Sequence, residues 1–375
     1  MTRIRSFLYR KVAKPVFFAL PPDFVHARTM DGLAVAGSIP GVPPMVKKVT
    51  ARRYPELHTE WRGMAFTSPV GLAAGLDKNG RTVPMMQAFG FGFSEVGSVT
   101  AEPCAGNAKP WFYRLPKTQS LVVHVGLANQ GVKKIITRLE KNSLAVQKEY
   151  PTILSLARTN SREASGVEEG IADYVASAKA AKKSPAVQMI ELNISCPNAY
   201  CGEAYTTPEL LEKLLTAIDA VKVGKPVFIK MPLDLSWSST KKLLDVIVRH
   251  DVTGVTMANL AKNRDEIALQ DVLPDTVEGG LSGAPTRAKS TELVRKTYKA
   301  YGDKLIIIGV GGVLSAEDAY EKIRAGATFV GLVTGLIFNG PQFVEEVNSG
   351  LVALLRRDGF THISQAVGVD VKGVQ

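Results

Sequence analysis

Short apolar runs recur along the chain after residue 50, and each is followed by a stretch whose apolar residues have helical spacing. Continuous apolar runs separated by helices are typical of parallel strands that are buried on both faces. Eight runs fit this description, at residues 69–74, 93–99, 152–156, 187–193, 226–231, 253–257, 305–310 and 328–333. Eight β/α units in succession predict an α/β fold closed as a TIM (β/α)8 barrel.

The segments between these runs carry signals for helix ends. Residues 315–326 (SAEDAYEKIRAG) begin with Ser315 as a cap and close on Gly326. Two intervals, 99–152 and 257–305, are long, and both follow strand ends. Since the active sites of TIM barrels lie at the carboxyl ends of the strands, both intervals are predicted to contain binding loops.

The N-terminal residues follow a different pattern, in which one face of a predicted helix is apolar. That face carries Ile4, Phe7, Leu8 and Val12. Pro15 is expected to break this helix, and a second short piece ends at Pro21. Two short amphipathic helices with aromatic residues and a basic fringe suit the headgroup region of a membrane. A basic targeting peptide and a helical hairpin packed on its own domain are the alternatives.

Residues 36–48 (AGSIPGVPPMVKK) have the composition of a linker. The predicted division therefore places an amphipathic helical segment at residues 1–48, as a membrane-associating extension, and the barrel at residues 49–375. No apolar run reaches 18 residues, so we expect no transmembrane helix.

Composition narrows the class of protein. The 375 residues are 45% hydrophobic and 22% charged, which is ordinary for a soluble globular protein. The net charge is +11, and the first 22 residues contain five basic residues and no acidic one. Three cysteines, Cys104, Cys196 and Cys201, are too few for a disulfide framework and fit a reducing compartment. Their spacing gives a poor zinc signal, and no metal site is predicted.

The strand ends bring a set of polar and glycine residues to one mouth of the predicted barrel. The set comprises Lys78, Ser98, Asn193, Cys196, Lys230, Asn259, Gly311, Gly312, Thr334 and Gly335. The glycine loops after the seventh and eighth strands predict a phosphate cradle built from backbone N–H groups. A dinucleotide fold is disfavoured, because no G-x-G-x-x-G motif follows an early strand.

Two kinds of polar side chain at this mouth indicate the ligand. Lys230 is either a lysine that reaches out to solvent or a fixed cation facing a developing anion, such as the N1–C2=O edge of a reduced flavin. Asn193, Asn198 and Asn259 each offer donors and an acceptor. They either bind a planar heterocycle with alternating N–H and C=O groups or satisfy local backbone.

Cys196 lies in a Ser-Cys-Pro corner just after the fourth strand. A buried thiol is most often inert packing, but a thiol exposed at the barrel mouth can act as a general base. No histidine is near in sequence, so a Cys-His acyl-transfer pair is not indicated. A hydrolase also lacks support, because the chain has no G-x-S-x-G elbow.

Several segments together resemble the dihydroorotate dehydrogenase family. They read PVGLAAGLDKNG, GFGFSEVGSVT, GNAKPWFYRLP, ELNISCPN, EGGLSGAPTRAKSTELVR, IIIGVGG and FNGP, within about residues 7–344. The resemblance implies a TIM barrel with FMN that oxidises dihydroorotate to orotate in pyrimidine biosynthesis. The N-terminal helices look like those of class 2. That class is bound peripherally to the cytoplasmic face of the inner membrane or to the mitochondrial inner membrane, and it reduces quinone.

The resemblance also implies roles for individual residues. FMN-contacting positions are Ala74, Gly75, Leu76, Asp77, Lys78, Ser98, Asn193, Lys230, Gly283, Gly311, Gly312, Val333 and Thr334. Substrate positions are Lys78, Asn193, Asn198 and Asn259. Cys196 falls on the catalytic base, and His26 and Arg114 fall on positions that line the quinone tunnel.

The chain departs from class 2 at the base and at the ring-binding loop. Class 2 has serine as the base, whereas Cys196 is the choice of the soluble class 1. The family's Asn-x-Met-Gly begins here with Val123 and His124, which removes one amide from the orotate site, while Asn129 keeps its place. An unmatched polar group costs ~1–3 kcal/mol, so orotate is expected to bind more weakly unless His124 or water compensates.

Other departures lie around the flavin. The strand-three amide is replaced by Ser155 or Leu156, the threonines after strand six by Ala258 and Leu260, and the tunnel tyrosine by Val333. The FMN site is therefore better supported than the orotate site. Three alternatives remain open: fumarate or NAD as acceptor, another cyclic amide or enoyl substrate, and a barrel that keeps FMN as a sensor or scaffold on the membrane.

Overall fold

The computed structural model describes residues 2–142, 149–196, 205–264 and 267–372. The strands of this described part are β1 (Thr59–Trp61), β2 (Met64–Phe66), β3 (Val70–Leu72), β4 (Phe93–Val99), β5 (Phe112–Leu115), β6 (Ser120–Val123), β7 (Thr152–Leu156), β8 (Met189–Asn193), β9 (Val227–Lys230), β10 (Gly254–Met257), β11 (Gly280–Leu281), β12 (Ile306–Val310) and β13 (Phe329–Leu332). Eight of them are parallel and close into a barrel in the order β3-β4-β7-β8-β9-β10-β12-β13. Each barrel strand lies within one of the eight predicted runs, so the TIM barrel is confirmed.

Helices cover the outside of the barrel. They span Val83–Ala88, Val132–Glu140, Val167–Lys183, Pro208–Val221, Trp237–Ile247, Arg287–Tyr301, Ala316–Arg324, Thr334–Asn339, Phe343–Arg357, Ile363–Ala366 and Val369–Lys372. The predicted cap is confirmed, because the Ser315 side chain accepts a hydrogen bond from the Asp318 backbone N–H. Helix–strand alternation of this kind leaves both faces of the sheet buried.

The barrel is closed at the amino ends of its strands, so only the carboxyl ends can open onto a ligand. The hairpin of β1 and β2 lies at the amino ends of the barrel strands. Its Phe66 ring lies 4.6 Å from Phe329 and 6.1 Å from Phe93. The sequence pattern did not predict this hairpin, because its strands, TEW and MAF, do not lie within longer apolar runs as β3 does.

The N-terminal segment folds as four helices with one wide turn. The helices are α1 (Thr2–Leu8), α2 (Lys14–Ala19), α3 (Pro22–Ser38) and α4 (Val42–Thr50). The expected break at Pro15 is wrong, since a π-helical turn at Tyr9–Ala13 joins α1 to α2. The Lys14 N–H bonds the carbonyl of Tyr9 five residues back. Pro15 then lies in the first turn of α2, where its missing N–H is not needed.

The expected linker at residues 36–48 is also wrong, because most of it is helical. Only residues 39–41 separate α3 from α4, and Gly41 takes a left-handed conformation with φ of +88°. Pro40 lies in this connection, whereas Pro43 and Pro44 lie in the first turn of α4, which tolerates them. Helix α4 packs on helix Val83–Ala88, and Thr50 Oγ1 donates to the carbonyl of Ala88 at 2.6 Å. The helical layer therefore runs across the predicted boundary at residue 48.

A small antiparallel sheet lies beside the barrel mouth. It consists of β5, β6 and β11, which come from the two long intervals of the sequence. Its pairing places Val123 opposite Phe112 and Gly280. The sheet therefore joins the two predicted binding loops into one wall of the site.

Candidate active site

One cavity of about 510 Å³ opens at the carboxyl ends of the barrel strands and continues to the N-terminal helices. Its wall includes these residues expected to contact the cofactor: Ala74, Gly75, Leu76, Lys78, Ser98, Asn193, Lys230, Gly283, Gly311, Gly312, Val333 and Thr334. Asn259, Cys196, Gly335, His26 and Arg114 line the same cavity. The strand-end rule thus located a single site, although the residues come from distant parts of the chain.

Of the expected residues that the structure describes, Asp77 alone does not join this group. The carboxylate of Asp77 accepts hydrogen bonds from the Arg81 N–H at 2.9 Å and the Thr82 N–H at 2.7 Å, so it holds the turn after β3 and is absent from the cavity wall. Asn198 lies outside the described residues.

Glycine backbone forms the part of the wall after β12 and β13. Gly311 and Gly312 have φ of +119° and +70°, which favour glycine. A Cβ at Gly312 would lie 2.4 Å from Arg287 Cβ, and one at Gly335 would lie 2.3 Å from the carbonyl oxygen of Val313. Backbone therefore meets the cavity directly at these loops, as a phosphate-binding cradle requires.

Asn193 and Asn259 are held by hydrogen bonds within the protein. Asn193 Nδ2 donates to Ser98 Oγ at 2.7 Å, and its Oδ1 accepts from the Ser195 N–H at 3.3 Å. Asn259 Nδ2 donates to the carbonyl of Ser195 at 2.7 Å, and its Oδ1 accepts from the Leu260 N–H at 2.9 Å. These bonds fix both side chains at the cavity wall in set orientations.

Lys230 is a buried cation, not a lysine that reaches out to solvent. Its side chain is 5% exposed, and its Nζ lies 3.9 Å from Glu191 Oε1. Its position at the end of β9 follows from the register that pairs it with Asn193 on β8. A charge fixed in this way can stabilise an anion in the cavity without reorganisation.

Lys78 faces the cavity from the loop after β3. Its Nζ donates to the carbonyl of Gly75 at 2.7 Å and lies 5.2 Å from the centre of the Phe112 ring. Burial lowers the pKa of Lys78 to about 8, while the charges of Asp77 and Asp23 oppose this shift. An anionic ligand group in the cavity would favour the charged lysine further.

The three cysteines have different surroundings. Cys196 is half-buried, lies three residues beyond the end of β8 and lines the cavity. Cys104 is absent from the wall and accepts a hydrogen bond from the Asn160 N–H at 3.2 Å. Cys201 lies outside the described residues. Within the described ranges, no three histidine, cysteine, aspartate or glutamate side chains come together as metal ligands.

The far end of the cavity lies between α2, α3 and β5. The His26 ring lies 5.0 Å from Phe112, and its pKa is lowered to about 3 by burial and then by the charges of Lys78 and Lys109. His26 is therefore neutral at physiological pH. Arg114 Nη1 donates to the carbonyl of Leu20 at 2.8 Å, where α2 ends.

Aromatic residues at this end of the cavity were not predicted from the sequence. Tyr9, Phe17 and Phe18 line the cavity, and Arg114 stacks on Phe18 at 4.7 Å. The Tyr9 hydroxyl donates to the carbonyl of Ile337 at 2.8 Å, which ties the π-helical turn to the barrel. The only indication of these residues in the sequence was the aromatic content of the N-terminal amphipathic segment.

The ring-binding loop is apolar where it meets the cavity. Val123, Ala258 and Leu260 line the wall. Asn129 does not, because its Nδ2 donates to Thr100 Oγ1 at 2.7 Å. His124 is also outside the wall, with Nε2 3.0 Å from Asn107 Nδ2. Neither residue therefore replaces the amide that Val123 lacks.

Two buried carboxyl groups below the cavity were also missed. Glu95 on β4 and Glu191 on β8 are fully buried. Ser155 on β7 donates to Glu191 Oε1 at 2.7 Å. The signal for these residues was a single acidic residue inside each of two otherwise apolar runs, FSEVGSV and MIELN.

Comparisons with known proteins agree on one family. The family model described as dihydroorotate dehydrogenase matches residues 56–355. The chain is 32% identical to "Dihydroorotate dehydrogenase (quinone)" of Thermobifida fusca, over 97% of each chain. It is 36% identical to the protein of the same name from Haloarcula marismortui, over 96% of this chain and 99% of the relative.

Solved structures resemble this fold over most of its length. The ligand-free dihydroorotate dehydrogenase of Eimeria tenella superposes with a TM-score of 0.79 at 26% identity, over 93% of this chain and 99% of that one. The same enzyme in complex with ferulenol gives a TM-score of 0.73 over 88% of this chain and 94% of that one, also at 26% identity.

Proposed function

The chain belongs to the dihydroorotate dehydrogenase family, and from this premise we propose that it oxidises dihydroorotate to orotate with FMN and passes the electrons to a membrane quinone. The observation that carries the proposal is the single cavity. It joins Cys196, Asn193 and Lys230 at the barrel mouth to His26 and Arg114 under the N-terminal helices. Its two ends offer the two places that an electron donor and an apolar acceptor require. The reaction is a step of pyrimidine biosynthesis.

The residues present fit FMN. The backbone of Gly311, Gly312 and Gly335 would hold the phosphate, since these glycines line the cavity and no side chain covers their N–H groups. Ala74 and Gly75 line the opposite part of the wall. When bound, FMN would accept the substrate's hydride and transfer the electrons to quinone.

Lys230 would stabilise negative charge at the flavin. Its ammonium is buried and fixed near Glu191, so the attraction acts in surroundings of low dielectric constant. Ser98 and Asn193 would hold the polar edge of the ring.

Cys196 is proposed as the base that removes the proton from C5 of dihydroorotate. It lies at the end of β8, three residues after Asn193, and both side chains line the cavity. Asn193 and Asn259 would orient the pyrimidine ring, together with Asn198. Lys78, which faces the same cavity, would bind the substrate carboxylate.

The N-terminal layer is proposed to attach the protein to the membrane surface. Exposed large apolar side chains concentrate there: Ile4, Phe7, Leu8, Val12, Val16, Leu20, Phe24, Val35, Ile39, Met45 and Val49. Across the described residues, no helix is both long and apolar enough to cross a bilayer. We place the protein peripherally, on the cytoplasmic face of an inner membrane or on the mitochondrial inner membrane.

The first test is the colour of the purified protein. It should carry flavin absorbance, and dihydroorotate should bleach that absorbance under anaerobic conditions. A colourless protein that gains no flavin spectrum with added FMN would contradict the cofactor. A yellow protein that dihydroorotate does not bleach would contradict the substrate.

The apolar wall at Val123 favours a second candidate, a flavin oxidoreductase that acts on another cyclic amide or enoyl compound. The variant Val123→Asn separates the two. If orotate is the product, the restored amide should tighten orotate binding by roughly tenfold or more, the effect of ~1–3 kcal/mol. Titration of the flavin spectrum with orotate measures the affinity, and Val125→Asn serves as a control at a neighbouring wall position. No gain at Val123 would favour the other substrate.

A further inference from the structure

A layer of polar side chains lies inside the barrel. It lies below the cavity wall, on the side of the amino ends of the strands. Glu95, Glu191, Ser155 and Thr256 are fully buried there, next to Lys230, which is 4% exposed. The layer thus contains two carboxyl groups and one ammonium group. Its role toward a bound flavin rests on the function proposed above.

The charges of this layer balance only if one of its two carboxyl groups is protonated. Two carboxylates and one ammonium would leave a net negative charge in the core of the barrel, where an unpaired charge is costly. The other side of the barrel cannot offset it, since Gly331, Val310 and Ala73 meet there: a Cβ on Gly331 would lie 2.9 Å from Val310 Cγ2 and 3.0 Å from Ala73 Cβ. One carboxyl group of the pair is therefore neutral.

A chain of hydrogen bonds runs from the cavity wall to Glu191. The Ser195 N–H donates to Asn193 Oδ1, so Asn193 Nδ2 is the atom that donates to Ser98 Oγ at 2.7 Å. Ser98 Oγ and Ser155 Oγ lie 3.1 Å apart, and either hydroxyl can donate. Ser155 in turn donates to Glu191 Oε1 at 2.7 Å. An ionised Glu191 at the end of this chain can accept from Ser155 and leaves each hydroxyl group with an acceptor.

The two carboxyl groups differ in the number of donors around them. Glu191 also accepts from Thr256 Oγ1 at 2.5 Å and lies 3.9 Å from Lys230 Nζ. Glu95 Oε2 accepts only the Ala74 N–H, at 2.9 Å, and within the described residues its Oε1 has no hydrogen-bond partner. Donors favour the charged form of a carboxyl group, so Glu191 is the carboxylate and Glu95 carries the proton on Oε1.

The electrostatics agree with this assignment. Burial, and after it the charge of Glu191, raises the pKa of Glu95 to about 8, while Lys230 and the Ala74 N–H oppose the shift. The acid is thus neutral at physiological pH.

We propose that Glu191 is the counter-ion that sets how much of the Lys230 charge acts on a flavin in the cavity, while Glu95 completes the layer as a neutral acid. Lys230 has Glu191 on one side and the cavity on the other. Removing the Glu191 charge leaves the ammonium unshared, and this favours the flavin state that carries more negative charge. Replacing Glu95 by its neutral amide leaves the charge of the layer as it is. Both are positioning residues, because they act through Lys230.

The test is the midpoint potential of the bound flavin at neutral pH, measured in the holoprotein and in two matched variants. Glu191→Gln should raise the potential by about 30 mV or more, which is a tenfold change in the equilibrium constant of a two-electron couple. Glu95→Gln should keep the potential of the unaltered protein, because an amide replaces a group that was already neutral. Each variant changes one atom of one side chain, so they serve as controls for each other.

A higher potential in Glu95→Gln than in Glu191→Gln would overturn the proposal. So would a Glu191→Gln potential equal to that of the unaltered protein.

A second measurement covers the case in which Glu191→Gln does not fold. Infrared spectra of the unaltered protein should contain the C=O stretch of a protonated buried carboxyl group, and Glu95→Gln should lack it; a band that persists in this variant overturns the assignment. A protein without flavin would contradict the proposed function, and this inference with it, whereas a flavoprotein with the wrong ranking contradicts the inference alone.

Discussion

Cys196 is the residue at which this chain differs most from the class that its overall sequence resembles. A free thiol has a pKa of ~8.5, whereas a serine hydroxyl ionises far above the physiological range. A thiol base should therefore keep working at lower pH than a serine base, provided that Cys196 removes the substrate proton.

The prediction for Cys196→Ser is a pH profile displaced to higher pH. The measurement is the rate at which dihydroorotate bleaches the flavin under anaerobic conditions, followed from mildly acidic to basic pH. Cys196→Ala is the control: it should keep its flavin spectrum and lose about 10²-fold or more of the bleaching rate, the usual contribution of a general base. An unchanged profile in Cys196→Ser would rule the thiol out as the base.

The raised pKa of Glu95 leads to a second prediction, which concerns how the stability of the protein changes with pH. Its pKa is raised from 4.5 to about 8, so between these values the folded protein keeps a proton that the unfolded chain has lost. The free energy of unfolding of the unaltered protein should therefore fall as the pH rises through this window. Glu95→Gln has no such group, so its stability relative to the unaltered protein should rise by about 1 kcal/mol or more, the value of one pKa unit.

Urea unfolding at a series of pH values measures this difference. The relative stability should level off above about pH 8, where Glu95 ionises in the folded protein as well. A difference that is constant from pH 5 to pH 8 would mean that Glu95 is already ionised in the folded state.

At the scale of single residues, strand-end positions were predictable and interior polar ones were not. Asn193 and Lys230 followed from where apolar runs stop, since that place is fixed by the barrel. Glu95 and Glu191 interrupt such runs, and a run alone does not reveal that two distant interruptions meet in space. Asp77 shows the reverse case, because it lies in a site motif but caps a turn.

At the scale of elements, the eight barrel strands were predictable because each is a buried apolar run. The short strands β5, β6 and β11 were missed, since they have two to four residues and gain their stability from pairing across the two long loops. The prediction of a linker at residues 36–48 was wrong for a related reason. Proline and glycine mark turns, but they also suit the first turn of a helix such as α4.

The helices α2 and α3 are apolar on two sides. Phe18 and His26 line the cavity, whereas Val16 and Phe24 are exposed on the outer side. A helix of this kind can contact the acyl chains of a membrane with one face and an apolar ligand with the other. We infer that quinone enters between these helices.

The outer face gives a prediction for membrane binding. The double variant Phe7→Glu/Val16→Glu places charges on side chains that are 62% and 58% exposed, and it should weaken binding to phospholipid vesicles by tenfold or more, since each loses about 1.5–3 kcal/mol of apolar burial. Val272→Glu is the matched control, because Val272 is 89% exposed but lies outside the N-terminal layer. Vesicle sedimentation measures the binding, and bleaching of the flavin by dihydroorotate should be unchanged in both. Equal binding of the double variant and the control would contradict attachment through this face.

At the scale of the whole molecule, charge and apolar surface are concentrated on the same side. Residues 1–53 contain ten Lys or Arg residues and two Asp residues, so they carry most of the net charge of +11. Exposed apolar side chains share this layer, and the cavity opens beneath it. If the layer attaches to a membrane as proposed, this arrangement turns the cavity entrance toward the anionic surface.

The central claim is that one cavity connects the oxidation of dihydroorotate to the reduction of quinone. The most direct measurement starts with protein that has been bleached anaerobically by dihydroorotate and mixes it with a short-chain quinone, with fumarate or with NAD. The account predicts that flavin absorbance returns rapidly with quinone and much more slowly with the two soluble acceptors. Recovery with fumarate or NAD that matches or exceeds recovery with quinone would contradict it.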